Sequence, residues 1–359
     1  MTEKPVSDYS RLYTRLKKEA GTHPHLVQTM IELTYGCNLR CVHCFNPTHR
    51  AKNELSTEQV FRILDELVTQ GCLSIGFTGG EIFTRRDALK IFRYAKSCGF
   101  IITLLTNATI ITPQVADQIK ELDPYQLDIS IYGGTAETYE KVTRVPGSFA
   151  SFQHGVDLLV ERNVPILLKL VLMTLNVHEL SQMKEFALSR KLRFKVTTGM
   201  MPKVDGSEEP LAYRLSPEQA FEIWQEVTGE NIKKNHRHLK TEIEEDTCKA
   251  SGRLFECSCG KSTAAITPYG KMNLCLSIQT PQFDLVSGTV AEGWGRMVEI
   301  VASTKPGPEY ECQGCDLARH CLRGTKDGWL EQGKFDGPCL PHFQEGARLT
   351  AQWIQENFQ

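Results

Sequence analysis

Between about residues 29 and 200 the chain alternates short aliphatic, β-branched runs with longer segments of helical period. The first run holds Met30, Ile31 and Leu33, and the others lie at 73–77, 101–105, 127–131, 166–173 and 192–197. Strands separated by helices imply parallel βα units, because a parallel return needs a crossover long enough to hold a helix. The segment 56–70 carries the fullest helix signal. Ser56 and Gln59 make a capping box, Val60, Ile63, Leu64, Leu67 and Val68 form one apolar face, and Gly71 supplies the stop.

Side chains alternate between the two faces of a strand, so parity tells what each face meets. Leu73, Ile75 and Phe77 oppose Ser74, Gly76 and Thr78; Leu127, Ile129 and Ile131 oppose Asp128, Ser130 and Tyr132; Leu192, Phe194 and Val196 oppose Arg193, Lys195 and Thr197. If helices cover the apolar face, the polar face lines the inside of a curved sheet. A closed eight-stranded barrel fills that interior with branched aliphatics. Six strands with a polar inner face therefore predict an α/β fold built as an open, partial (β/α)6 barrel around a wet cavity. The alternative is a flat doubly wound sheet with one partly solvated face.

Beyond residue 205 the pattern changes. Ser216 and Pro217 start a helix reaching about Glu230, and the polar run NIKKNHRHLKTEIEED follows as a solvated helix or linker. A cysteine-rich third then precedes a closing helix at 344–357. The organisation read from this is an N-terminal extension at 1–28, a barrel at 29–205, a helical linker at 206–246, a small cysteine-rich domain at 247–343 and a terminal helix at 344–359.

Charge excludes one class of partner: 41 Lys and Arg against 43 Asp and Glu, with no long basic run, give no footprint for nucleic acid. The first residues lack the apolar core of a signal peptide, and no 18 consecutive apolar residues occur, which places the chain off the membrane and in the cytoplasm. There, 13 cysteines, an odd number, read as metal or redox ligands rather than as a disulfide framework.

The tightest cysteine group is CNLRCVHC, with Cys37, Cys41 and Cys44 in a C-x3-C-x2-C spacing just after the first strand. A cubane iron–sulfur cluster normally takes four thiolates, so three leave one iron open to another ligand. A C-x2-C pair such as Cys41 and Cys44 is also half of many zinc sites. After the second strand come Thr78, Gly79, Gly80 and Glu81, where glycines permit close backbone approach to a ligand. In the last third Cys312, Cys315 and Cys321 form C-x2-C-x5-C, followed by Cys339; upstream, ten residues separate Cys259 from Gly270 and four separate Gly270 from Cys275. Cys72 and Cys98, beside helix-ending glycines, read as buried structural thiols.

Together these motifs resemble the radical S-adenosylmethionine (SAM) superfamily over nearly the whole chain. The resemblance implies that Cys37, Cys41 and Cys44 hold a [4Fe-4S] cluster whose open iron binds the amino and carboxylate groups of SAM. His43 stands where the family usually has an aromatic residue or histidine, and Thr78, Gly79 and Gly80 form the turn against the methionine portion. Glu81 accepts the SAM amino group, or else is a helix N-terminal carboxylate facing the dipole. Asn107 occupies the place of the family's TNG, Ser130 faces the lumen toward the ribose, and Arg144 matches an arginine near the SAM carboxylate, where a guanidinium fork suits that anion. Each of these three is otherwise a loop or capping residue.

The C-terminal cysteines resemble the SPASM extension of peptide- and cofactor-maturating members, which implies one or two auxiliary iron–sulfur clusters. Cys312, Cys315, Cys321 and Cys339 supply one fully ligated cluster. The other should use the 257–275 region and a cysteine four residues after Cys321, where Thr325 stands. Cys248, Cys257, Cys259 and Cys275 give it four thiolates, or three bind and an iron stays open; the choice between Cys257 and Cys259 is undecided. A zinc ribbon is the alternative for the whole segment.

The activity implied is reductive cleavage of SAM to a 5'-deoxyadenosyl radical that abstracts hydrogen from a substrate, a ribosomally made peptide or protein side chain that is crosslinked, oxidised or epimerised. The alternatives are maturation of a small-molecule cofactor or tetrapyrrole, or, in other classes, an iron–sulfur electron carrier or a zinc-stabilised binding module. The enzyme reading brings an external one-electron donor of flavodoxin or ferredoxin type. The residues ahead of the first strand are too few for a leader-recognition domain, so a peptide's leader is read by a separate protein.

Overall fold

A computed structural model describes residues 14–16, 19–20, 23–229 and 254–358. Cys248, the polar run after Glu230 and most of the N-terminal extension lie outside the described residues. The six expected strands are present as β1 (Gln28–Thr34), β2 (Ser74–Gly79), β3 (Ile101–Thr106), β4 (Gln126–Ile131), β5 (Ile166–Val171) and β6 (Arg193–Thr197). Between them run α1 (Thr57–Thr69), α2 (Ala88–Ser97), α3 (Pro113–Leu122), α4 (Ala136–Thr143), α5 (Ser148–Glu161) and α6 (Leu180–Ser189).

Neighbouring strands pair in parallel, and their order is β6-β5-β4-β3-β2-β1. A doubly wound sheet reverses its order partway, which throws helices onto both faces. Here the order never reverses, so right-handed crossovers carry the helices to one face and leave the other as the inner wall of a barrel. Leu127, Ile129 and Ile131 are fully buried on the helix side, while Asp128 and Lys169 pair at 2.6 Å across β4 and β5 on the inner side. The α1 capping box forms as expected between Ser56 and Gln59. Val68, however, is 44% exposed, because it sits at the edge of a stripe that only Val60, Ile63, Leu64 and Leu67 bury.

The cysteine-rich segment extends this sheet. It contributes β7 (Thr263–Ile266), parallel to β1, and then β8 (Lys271–Asn273) and β9 (Gln282–Asp284) in antiparallel pairing, so that one sheet has nine strands. Arg62 of α1 donates to the Leu285 carbonyl, and Glu66 accepts from the Val290 amide. The remaining helices are α7 (Pro217–Trp224), continued by a π turn over Gln225–Gly229, then α8 (Val290–Ser303), α9 (Thr325–Gln332) and α10 (Pro341–Phe358).

Candidate active site

The loops that follow β1, β2 and β3 meet at the C-terminal end of the barrel. Gly80 donates its amide to the Thr34 carbonyl at 2.7 Å and Glu81 to that of Gly36 at 2.8 Å, tying the β2 turn to the start of the cysteine loop. The cysteine loop is pinned from its other side by the end of α4, where Thr143 and Val142 carbonyls accept from the amides of Arg40 and Val42, both at 3.0 Å. Asn107 joins the third loop to it: its side-chain amide donates to Asn38 Oδ1 at 3.0 Å, and Asn38 Nδ2 donates to the Thr109 hydroxyl at 2.7 Å.

Cys37, Cys41 and Cys44 are partly buried free thiols. Burial pushes Cys37 up to about 11 and raises Cys41 and Cys44 as well, and the neighbouring thiols add to the rise at Cys37 and Cys41. Such thiols stay protonated until a metal ion takes over their charge, which suits an iron–sulfur ligand set. The Leu39 amide already donates to Cys37 Sγ at 3.4 Å. Among the described residues no three His, Cys, Asp or Glu side chains converge tightly enough to enclose a single metal ion. Around the loop, His43 Nδ1, Asn46 Oδ1 and His49 Nε2 are buried without partners among the described residues, as polar atoms facing a ligand would be. Burial pushes His43 down to about 4, so its ring is neutral; it lies 4.8 Å from the Tyr132 ring.

Glu81 is fully buried. Its Oε1 accepts from the Thr106 hydroxyl at 2.8 Å and the Phe83 amide at 3.2 Å, and its Oε2 accepts from the Asn107 amide at 2.7 Å. The carboxylate therefore caps the short 3-10 turn Ile82–Thr84 and clamps the end of β2 to that of β3. Burial still outweighs these bonds and pushes it up to about 7. Thr78 and Ser130 point from β2 and β4 into the barrel, by strand parity. Arg144 follows the residues that pin the cysteine loop, but it is an exposed C-cap in the left-handed region, at φ 56°.

Glu32 escaped the sequence reading, although a carboxylate in the apolar β1 was a signal. It is 1% exposed and in register with Thr78. Its Oε2 accepts from Tyr35 Oη at 3.2 Å, Tyr35 Oη accepts from Gln279 at 3.0 Å, and Oε1 has no partner among the described residues. Burial raises it from 4.5 to about 8. In the metal-free chain both folded and unfolded states are protonated below about pH 4.5; between there and about 8 only the unfolded state ionises, so stability falls as pH rises. The loss is roughly 5 kcal/mol over that window, with Glu81 acting in the same direction. Glu32→Gln should flatten most of this slope in denaturant titrations. An unchanged slope would remove Glu32 from the account.

In the C-terminal third Cys312, Cys315, Cys321 and Cys339 share the walls of a cavity of about 350 Å³, and Cys257 reaches it too. The Cys259 thiol faces Cys257 and Cys275; hydrogen bonding to both raises it and lowers them. Thr325 lines the same cavity, but its hydroxyl donates to the Leu254 carbonyl. Cys72 is a buried structural thiol beside Thr29, as expected, whereas Cys98 is only partly covered, because it caps α2 and faces Asp65.

Residues 31–187 match the profile of the Radical SAM superfamily. The chain is 32% identical over 163 residues to the AdoMet-dependent heme synthase of Methanosarcina barkeri, covering 45% of this chain and 46% of that protein. It is 29% identical over 318 residues to the mycofactocin maturase MftC of Mycobacterium ulcerans, covering 86% and 85%. The chain spans less than half the length of the first curated relatives it matches. Streptococcus suis SuiB bound to precursor peptide SuiA superposes with a TM-score of 0.69 at 13% identity, over 96% of this chain and 82% of that one, a likeness of fold. No helix among the described residues is long and apolar enough to cross a membrane.

Proposed function

We propose that this chain, whose residues 31–187 match the Radical SAM superfamily, is an enzyme that cleaves SAM reductively and takes hydrogen from a ribosomally made peptide or protein side chain. The observation that carries this is the loop of Cys37, Cys41 and Cys44, buried at the mouth of the barrel and tied to both the β2 and the β3 turns. When bound, the reduced cluster would supply one electron to the sulfonium of SAM, whose cleavage would give a radical able to abstract hydrogen from carbon. The protein's part is positional. Cys37, Cys41 and Cys44 bind, Asn38, Asn107 and Thr109 hold their loop in place, and His43 stays uncharged beside Tyr132. Glu32 keeps a proton on a carboxyl that faces the lumen, at neutral pH. Water is kept from the radical by the same burial.

Cys312, Cys315, Cys321 and Cys339 are the proposed ligands of one auxiliary cluster, and Cys257, Cys259 and Cys275 of a second, either with Cys248 as a fourth thiolate or with one iron left open. Thr325 adds no ligand to it, its hydroxyl donating to the Leu254 carbonyl. The electron comes from an external flavodoxin- or ferredoxin-type donor, and a separate protein reads any leader, both in the cytoplasm. The MftC likeness along most of the chain and the fold shared with a structure bound to a precursor peptide support a peptide substrate. The heme synthase match, over under half the chain, keeps maturation of a small cofactor or tetrapyrrole as the second reading.

The test is anaerobic incubation of the reconstituted protein with SAM, a reductant and a short peptide encoded beside its gene. The expected products are 5'-deoxyadenosine and a modified peptide: loss of two hydrogens marks crosslinking or oxidation, and uptake of one solvent deuterium without other mass change marks epimerisation. Bound iron without SAM cleavage would leave an electron carrier. A colourless zinc protein without sulfide would leave a binding module.

A further inference from the structure

Arg323 sits in the wall of the cavity that Cys312, Cys315, Cys321 and Cys339 share, and only 6% of it is exposed. Its Nη1 donates to Cys312 Sγ at 3.3 Å, and its backbone amide donates to Cys321 Sγ at 3.4 Å. Nη2 donates to the Gly337 carbonyl at 2.8 Å and to Gln332 Oε1 at 3.3 Å, while Nε is buried without a partner. The guanidinium is seated hard against backbone: a Cβ at Gly328 would lie 3.0 Å from Nη2. Two of its hydrogen bonds and the walls around it thus fix its position next to the thiols.

What Arg323 lacks among the described residues is a directly paired anion: Glu256 and Glu311 line the same cavity, but neither forms an ion pair with it. Among the described residues no carboxylate pairs with Arg323; Asp327 and Glu331 of the adjoining helix pair with Lys326 and Arg214 instead. An arginine cannot shed its charge in a protein, and a buried cation without a counter-charge is strongly unfavourable. Neutral thiols do not supply one. Four thiolates around an iron–sulfur cubane do, because such a cluster carries net negative charge, and an electron added to it makes the charge more negative still.

We propose that Arg323 is the built-in counter-cation of the auxiliary cluster held by Cys312, Cys315, Cys321 and Cys339, and that it raises the reduction potential of that cluster. The positive charge beside Cys312 stabilises the reduced cluster more than the oxidised one, and hydrogen bonds to ligand sulfurs act in the same sense. Arg323 is a positioning and tuning residue that touches a ligand sulfur and no reacting atom. The inference rests on the reading of these four cysteines as cluster ligands.

The test separates the two. The full chain carrying C37A, C41A and C44A is reconstituted with iron and sulfide, so that the remaining signals come from the C-terminal cysteines. C312S on that background should lose a cluster's worth of iron; if its iron and sulfide do not change, the cluster reading itself fails. With the cluster in place, its midpoint potential is read by redox titration with electron paramagnetic resonance. Arg323→Gln, which keeps a hydrogen-bond donor without the charge, should shift the potential to more negative values, and Arg323→Lys should restore most of the shift. Equal potentials in all three proteins overturn the inference. If Arg323→Gln instead fails to take up the cluster, uptake rescued by Arg323→Lys supports the counter-cation, and uptake lost equally in both variants overturns it in favour of a role in shape alone.

Discussion

Replacing Cys37 or Cys41 with alanine is expected to reduce 5'-deoxyadenosine formation to background while leaving the visible absorbance of the proposed C-terminal clusters in place. Both thiols belong to a loop held mainly by other groups, although the Leu39 amide donates to Cys37 Sγ. Its amides bond to Thr143 and Val142, and Asn38 to Thr109 and Asn107. The barrel should therefore survive the change, and the loss should be one of chemistry. Two thiolates cannot hold a cubane that ordinarily needs four ligands and, on the proposed reading, has three from this protein. Quantifying 5'-deoxyadenosine by chromatography after reduction with SAM checks this, beside iron and sulfide per chain. Undiminished SAM cleavage in either variant would refute the assignment of this loop.

The second large effect is expected at the glycines of the β2 turn. An added Cβ would lie 2.3 Å from the Gly36 carbonyl oxygen at Gly80, and 2.2 Å from that of Thr34 at Gly79, which also has φ +133°. Both obstacles are backbone, so no rotamer change relieves them, and at Gly79 the dihedral adds its own strain. Gly80→Ala must push the turn off the cysteine loop and weaken the bonds from Gly80 to Thr34 and from Glu81 to Gly36. A cost of roughly 3 kcal/mol follows from overpacking of this kind, together with a large loss of SAM affinity. Gly199→Ala is the control, because nothing lies within 4 Å of its added Cβ. Thermal unfolding and equilibrium dialysis with SAM are the measurements. A Gly80→Ala protein that melts and binds SAM like the parent would contradict the packing described.

These glycines show where local reading stops. Their spacing after a strand marks a special turn, and in the sequence they suggest room for a ligand; in the fold the space a side chain would fill is taken by the protein's own β1 loop. Glu81 is similar. The sequence leaves it between a ligand acceptor and a helix-terminal carboxylate, and the bonds to Phe83, Thr106 and Asn107 realise the capping geometry. Glu32 went unnoticed because only the curvature of the sheet turns a single carboxylate in an apolar strand toward the lumen.

By itself the sequence determined the six strands, which of their faces is apolar, the capped α1 and the cysteine spacings, because period, capping and spacing act over a few residues of chain. Only the tertiary structure decided that the order of the first six strands never reverses, that β7, β8 and β9 continue the same sheet beside β1, and that Arg323 is buried against Cys312 with no carboxylate paired to it among the described residues. Each of these depends on groups far apart in the chain being brought together, and burial alone turns such neighbours into a clamp, a raised pKa or an unbalanced charge.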